Sequence, residues 1–368
     1  MANTAASPGS HRPYDSKLGI VTGGSRGIGA AVAARLAAKG CNLLLVYTSN
    51  SSTEIARNLS DELSTLHSIQ CLAVQADLGE PSEASPKIIE AARRLHDSYN
   101  PNKPFQIDIL INNAGVSSNQ NMNDERHGKI QEVEFHRVYN VNVLAPLLLT
   151  QAVAPHLPTN RAGRIVNVSS VSSSIGYQGQ SVYAGSKAAL EAMTRTWSRE
   201  LATRATVNAV NPGPAWGDMY AAAGQTFWSI NQPYVDAAPL AQYSGEPEVL
   251  AMAGTDAERF DRTVRENMGN RRPGFTTEIA GTIDMLCSEE SGWTTGSVIC
   301  ANGAKTKMNG PIQNSNGCHI RPGSRFISKG QPGTSSHKAS SAGFRTTAGR
   351  VENDQVYSRS SISVFSYG

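Results

Sequence analysis

Tyr183 and Lys187 stand four residues apart in the run Ser181-Val182-Tyr183-Ala184-Gly185-Ser186-Lys187, and Ser170 precedes the tyrosine by 13 positions. On a helix, residues at i and i+4 project from one face, which places the phenol beside the ammonium. A free tyrosine titrates near 10, too high for ready proton exchange at neutrality. A neighbouring ammonium favours the phenolate. A drop of roughly two to three pH units would make Tyr183 a general acid for a ketone or a base for an alcohol. Ser170 would hydrogen-bond the substrate oxygen as charge develops there.

A second constellation lies far upstream, in Thr22-Gly23-Gly24-Ser25-Arg26-Gly27-Ile28-Gly29. Gly23, Gly27 and Gly29 follow an apolar run and open a helix-like stretch. There, glycines let the backbone approach a phosphate while free N–H groups point at it. Ser25, Arg26 and Ile28 complete the turn. The next apolar run ends in Thr48-Ser49-Asn50-Ser51-Ser52, with no carboxylate before Glu54. A carboxylate at that place would repel a 2′-phosphate, whereas the Thr48 and Ser49 hydroxyls donate to one and Arg26 offers a charge-assisted partner. The expected cofactor is NADP(H), and the expected chemistry is hydride transfer.

These residues need a scaffold that brings them to one edge. Short, continuous, β-branched runs at Leu18–Val21, Asn42–Tyr47, Gln70–Gln75, Ile107–Ile111, Arg164–Val168, Thr206–Val210 and Ser297–Ala301 read as strands buried on both faces. Helix-like stretches separate them, such as Ile28–Lys39 before Gly40. The expected fold is α/β: a Rossmann-like, doubly wound, seven-stranded parallel sheet flanked by helices, occupying residues 17–304. Residues 1–16 read as a flexible arm. Residues 216–275 read as a poorly periodic, aromatic insertion that would close over an apolar substrate. Residues 305–368 read as a basic, Ser/Gly-rich, disordered tail without catalytic function.

The chain has 368 residues, 39% of them hydrophobic, and a net charge of +3. The tail alone carries nine Lys/Arg against Glu352 and Asp354, so the body is mildly acidic. With those charges dispersed, neither nucleic acid nor a membrane is an expected partner. The five cysteines show no metal-ligand spacing, and no metal is expected. The N-terminus lacks the apolar stretch of a secretory signal, and no run has the length and apolarity of a membrane span. The expectation is a cytoplasmic protein.

At this point the chain resembles the short-chain dehydrogenase/reductase family from about Leu18 to Gly303. Besides the glycine turn and Tyr-x-x-x-Lys, Asp77-Leu78 resembles the family's acidic pair at the adenine. Asn112-Asn113-Ala114-Gly115 resembles its central-strand motif, and Asn211-Pro212-Gly213 the turn flanking the nicotinamide. The resemblance implies that Asn142, 28 residues before Ser170, completes a tetrad with Ser170, Tyr183 and Lys187. It also implies cofactor contacts from Asn113, Ala114, Gly115, Pro212, Gly213, Tyr183 and Lys187. A homodimer or homotetramer is implied too, through the helices bearing Asn142 and Tyr183. Gly217 stands where the family usually has a threonine, and Asn302-Gly303-Ala304 replaces a double glycine. The subgroups it resembles are acyl-carrier-protein ketoreductases and fungal reductases of secondary metabolites. They imply NADPH-dependent reduction of an apolar or polyketide-like ketone. An idle binding protein on the same fold is the alternative reading, and it predicts a broken tetrad.

Overall fold

The computed structural model describes residues 12–221 and 224–304. The tail expected at 305–368 and the first eleven residues of the expected arm lie outside the described residues.

Seven parallel strands form the main sheet: β1 (Leu18–Thr22), β2 (Asn42–Tyr47), β3 (Cys71–Gln75), β4 (Ile109–Asn112), β5 (Gly163–Val168), β6 (Ala205–Pro212) and β7 (Val298–Ala301). Their spatial order is β7-β6-β5-β4-β1-β2-β3, with the reversal of direction between β1 and β4. Every residue of β1, β2, β4, β5 and β6 is buried, which explains why these strands read as continuous apolar runs rather than alternating ones. Ligands bind outside the carboxyl ends of such strands at the switch point.

Helices cover both faces. On one side α1 (Gly27–Ala38), α2 (Thr53–His67) and α9 (Thr276–Cys287) pack Val32, Leu36, Leu63, Ile279 and Ile283 against Leu43, Leu45 and Ile109. On the other, α3 (Pro81–Tyr99), α5 (Ala145–Val153) and α6 (Ser181–Glu200) pack Ile88, Leu95, Leu149, Val153 and Leu190 against Ile20, Leu44 and Leu110. Burying each such side chain contributes roughly 1.5–3 kcal/mol. A polar ladder crosses the second face. Asn112 donates to Asn167 at 2.8 Å and to Thr150 at 3.2 Å, and Asn167 donates to Thr194 at 2.8 Å.

Three expectations change. The arm is not loose throughout, because Tyr14 is fully buried between the Lys17 and Lys39 ammonium groups, 5.4 and 5.5 Å from its ring centroid. Its hydroxyl donates to Asp284 Oδ1 at 3.1 Å, and Lys39 closes the cluster at 2.7 Å from Asp284 Oδ2. Second, one continuous helical stretch, Glu132–His156, does have the length and mean hydropathy (1.2) of a span. It comprises α4 (Glu132–Tyr139), a π-helical turn (Asn140–Leu144), α5 and a short 3₁₀ turn. Its apolarity serves the core, where Ala145, Leu149 and Val153 are buried.

Third, the 216–275 segment is largely helical, including α7 (Gly224–Asp236) and α8 (Ala257–Asn267). Trp216, Tyr220, Tyr243, Phe260, Val264, Met268 and Phe275 form a small core of their own. Trp216 donates to Asp256 at 2.8 Å and meets Phe260 edge-on. Periodicity was hidden because α8 buries only Phe260 and Val264, one i,i+4 pair in a run otherwise rich in charge.

Candidate active site

The glycine turn leaves β1 and enters α1. Gly23 and Gly27 have φ of +63° and +58°, a region costly for residues with a Cβ. A Cβ on Gly29 would meet the Gly23 carbonyl oxygen and Asn113 Nδ2 at sub-contact distance, whereas one on Gly27 would meet nothing within 4 Å. The turn is therefore closed on the protein side and open on the outer side. Asn113 splints it by donating Nδ2 to the Thr22 and Gly23 carbonyls at 2.8 and 3.2 Å. Thr22 Oγ1 in turn accepts from the Asn113 and Ala114 amides, both at 3.0 Å. No side chain caps α1, and its first turn has no acidic residue. Its free N–H groups suit a phosphate. Arg26 is exposed there, with no carboxylate partner among the described residues. Ser49 at the end of β2 shares hydrogen bonds with Ser51 and Ser52 at 2.8 and 3.2 Å, an uncharged donor cluster. These features fit a dinucleotide bearing a 2′-phosphate.

Ser170 follows β5, while Tyr183 and Lys187 occupy the first two turns of α6. Lys187 is 3% exposed; its Nζ donates to the Val168 carbonyl at 2.8 Å and lies 5.9 Å from the Tyr183 ring centroid. Burial holds the Lys187 ammonium down to about 8, with the Glu191 carboxylate acting against that shift. Burial also pushes the Tyr183 phenol up, opposed by hydrogen bonding with Ser170. The expected lowering of Tyr183 by Lys187 is thus not seen. Burial of the phenol penalises the phenolate, and the Lys187 ammonium, engaged with the Val168 carbonyl, does not offset it.

Asn142 sits in the π-helical turn, fully buried. Its Oδ1 accepts from the Val116 amide at 2.9 Å, and its Nδ2 donates to the Val116 carbonyl at 2.9 Å and to Ser186 Oγ at 3.0 Å. A Cβ on Gly115 would come within 3.1 Å of Lys187 Nζ and 3.3 Å of Asn142 Oδ1, so glycine there leaves room for both polar groups. The π-turn rotates Asn142 inward, a use to which such bulges are often put.

One cavity of about 910 Å³ joins these parts. Gly23, Arg26, Ile28, Asn113, Ala114, Gly115, Ser170, Tyr183, Lys187, Pro212 and Gly213 all line it. Asn142 lies behind the wall. Ser25, Gly27 and Gly29 shape the turn without lining the cavity, and Thr48, Ser49 and Asp77 lie further out, exposed. Asp77 Oδ1 accepts from the Gly79 amide at 2.9 Å. Leu78 is a core residue, 4% exposed, rather than a surface contact. Gly217 faces the cavity beside Thr276, whose methyl would be 3.8 Å from a Cβ placed there.

The amide residues of the lining were not anticipated. Asn119, Gln120, Gln178, Gln180 and Asn231 line the cavity together with Tyr177, Tyr220 and Phe227. Two loops are zipped together there, the Gln120 amide donating to Gly179 O at 2.7 Å and Gln180 Nε2 to Asn119 Oδ1 at 2.9 Å. Most aromatic residues of 216–275 pack in their own core, and only Tyr220 and Phe227 reach the cavity. The amide-rich runs 119–121 and 178–180 were the available signal in the sequence, but loops carry no periodicity to mark which side they face.

A family model described as short chain dehydrogenase matches residues 17–226. The chain is 70% identical over 295 residues to L-xylo-3-hexulose reductase of Hypocrea jecorina, covering 79% of this chain and 97% of that protein. It is 55% identical over 295 residues to L-xylulose reductase of Aspergillus niger, covering 79% and 98%. Among solved structures, a blue fluorescent protein from a metagenomic library in complex with NADPH superposes with a TM-score of 0.63 at 30% identity, covering 80% of this chain and 99% of that one. Sequence, fold and site agree: the chain belongs to the short-chain dehydrogenase family.

Proposed function

We propose that the chain is an NADPH-dependent reductase of small polyhydroxylated ketones, converting the carbonyl to a secondary alcohol. The observation that carries this reading is the set of amide side chains that line the same cavity as Tyr183. Carboxamides both donate and accept, and a site built to hydrogen-bond hydroxyls rejects analogues that lack them. Gln120, Gln180 and Asn231 each spend one amide donor within the protein, on the Gly128 carbonyl, Asn119 Oδ1 and the Phe227 carbonyl. Their remaining polar atoms, among them the unpartnered Gln180 Oε1, would go unmatched by an apolar or polyketide-like ketone, the class suggested by the amino-acid sequence. The relatives named as reductases of L-xylo-3-hexulose and L-xylulose support the same class.

In this reading the cofactor, when bound, supplies the hydride to the carbonyl carbon. Tyr183 donates its proton to the carbonyl oxygen, and Ser170 hydrogen-bonds that oxygen as negative charge grows on it. A phenol held protonated by burial suits the acid role. Lys187 favours the phenolate left behind and holds cofactor hydroxyls, and Asn142 fixes the Val116 backbone and Ser186 beneath them. Gly23, Ser25, Arg26, Ile28, Thr48, Ser49, Asp77 and the 113–115 and 212–213 turns hold the dinucleotide. The exposed apolar side chains Val133, Phe135 and Leu144 on the Glu132–His156 stretch support self-association through that helix.

The experiment is a carbonyl panel followed by NADPH absorbance: ketopentoses and ketohexoses against quinones, β-ketoacyl thioesters and aromatic bicyclic ketones. Ketoses are expected to turn over fastest, and Tyr183→Phe to lower kcat by about 10²–10⁴-fold. Faster reduction of the aromatic ketones would overturn the reading.

A further inference from the structure

One carboxylate behind the tetrad is tied to three elements of the site. Glu191 lies one helical turn beyond Lys187 on α6 and does not line the cavity. Its Oε1 accepts from Ser169 Oγ at 2.7 Å, from Ser173 Oγ at 2.6 Å and from Asn211 Nδ2 at 3.0 Å. The two hydroxyl bonds have the short length of charge-assisted contacts. Ser169 and Ser173 bracket Ser170 on the segment leaving β5, and Asn211 is the penultimate residue of β6, immediately before Pro212 and Gly213. Asn211 Oδ1 is buried without a partner, so Glu191 and Ser173, 3.1 Å from the same Nδ2, are what hold this amide.

We propose that Glu191 is a positioning residue for the reduction: its carboxylate locks the Ser170 segment and the end of β6 onto α6, and places a negative charge one helical turn from Lys187. This rests on the reductase reading above. Three donors converging on one oxygen call for a carboxylate rather than an amide or a hydroxyl. Tyr183 faces Lys187 from the same helix, the Val168 carbonyl from β5, Asn142 from the π-turn and Gly115 from the segment after β4. All of these are uncharged near neutrality, and Glu191 is the charge that offsets the desolvation of the lysine. Removing it would let Lys187 lose its proton at lower pH.

The test separates charge from reach. Glu191→Gln keeps the shape and removes the charge. It is expected to lower kcat about tenfold and to move the alkaline fall of kcat/KM toward neutrality by about half a pH unit or more. A lysine-selective NMR titration of the cofactor-free protein should show the same displacement. Glu191→Asp keeps the charge but shortens the reach, so kcat should fall while the alkaline limb stays in place. A residue that only stabilises the fold would lower the melting temperature without moving the limb. Wild-type kcat and an unmoved limb in Glu191→Gln would overturn the proposal. If that variant does not fold, Ser173→Ala removes one donor and leaves the charge; a wild-type kcat there would also overturn it. Failure of the unmodified enzyme to reduce any ketose would instead count against the substrate reading.

Discussion

Lys187 carries the tightest constraint at the scale of single residues. A buried ammonium titrating at about 8 is charged at neutrality and loses its proton just above it. The rate of ketone reduction should therefore fall as pH rises through about 8, because the charge that favours the Tyr183 phenolate is lost; a pH profile of kcat/KM checks this. The sign for stability is opposite. Because the folded value lies below that of the unfolded chain, the unfolded state binds more protons between the two, and the contribution of Lys187 to stability rises with pH across that window. Arg26 makes a separate prediction. Its guanidinium is exposed at the open side of the glycine turn. Loss of a charged hydrogen bond of about 1.5–3 kcal/mol in Arg26→Ala should weaken NADPH about 10- to 100-fold while leaving NADH nearly unaffected. Fluorescence titration with both nucleotides measures the difference.

At the scale of elements, the site is assembled by the ends of β1, β4, β5 and β6, by α6, and by one π-turn. Each strand end delivers a turn to the same sheet edge, and each turn is held by a side chain of its neighbour: Asn113 splints the glycine turn, Asn142 the Val116 backbone, and Glu191 the Ser170 segment. The segment before β1 is fastened in the same manner, by Tyr14 against α1 and α9. Replacing Tyr14 with Ala should destabilise the protein by about 3–5 kcal/mol, the cost of emptying an aromatic site, and denaturant unfolding reads it. Tyr14→Phe keeps the ring and should cost only about 1 kcal/mol for the lost hydrogen bond.

At the scale of the molecule, the doubly wound sheet buries its strands on both faces and leaves function to its carboxyl edge. The same helical stretch that buries Leu149 and Val153 exposes Val133 at 74% and Phe135 at 41%. Sedimentation is expected to give a dimer or tetramer, and Val133→Asp with Phe135→Asp to shift it to smaller species. A single sedimenting monomer in the unmodified protein would remove that expectation.

The amino-acid sequence determined the sheet, because buried parallel strands must be continuous apolar runs, and all seven were legible within one to two residues at most ends. It also determined the phosphate turn and the Ser170, Tyr183 and Lys187 set, because glycine spacing and an i,i+4 pair are local geometry. What it did not determine depends on contacts between distant segments. Tyr14 is anchored by Asp284, 270 residues away, and no pattern around Tyr14 announces it. The titration of Tyr183 and Lys187 follows from burial that neither residue's neighbours in the chain disclose. The polarity of this part of the cavity arises where loops 119–121 and 178–180 close on each other. Only the tertiary structure decides which of their side chains face the cavity, and the proposal of a hydroxylated ketone in place of an apolar one rests on that placement.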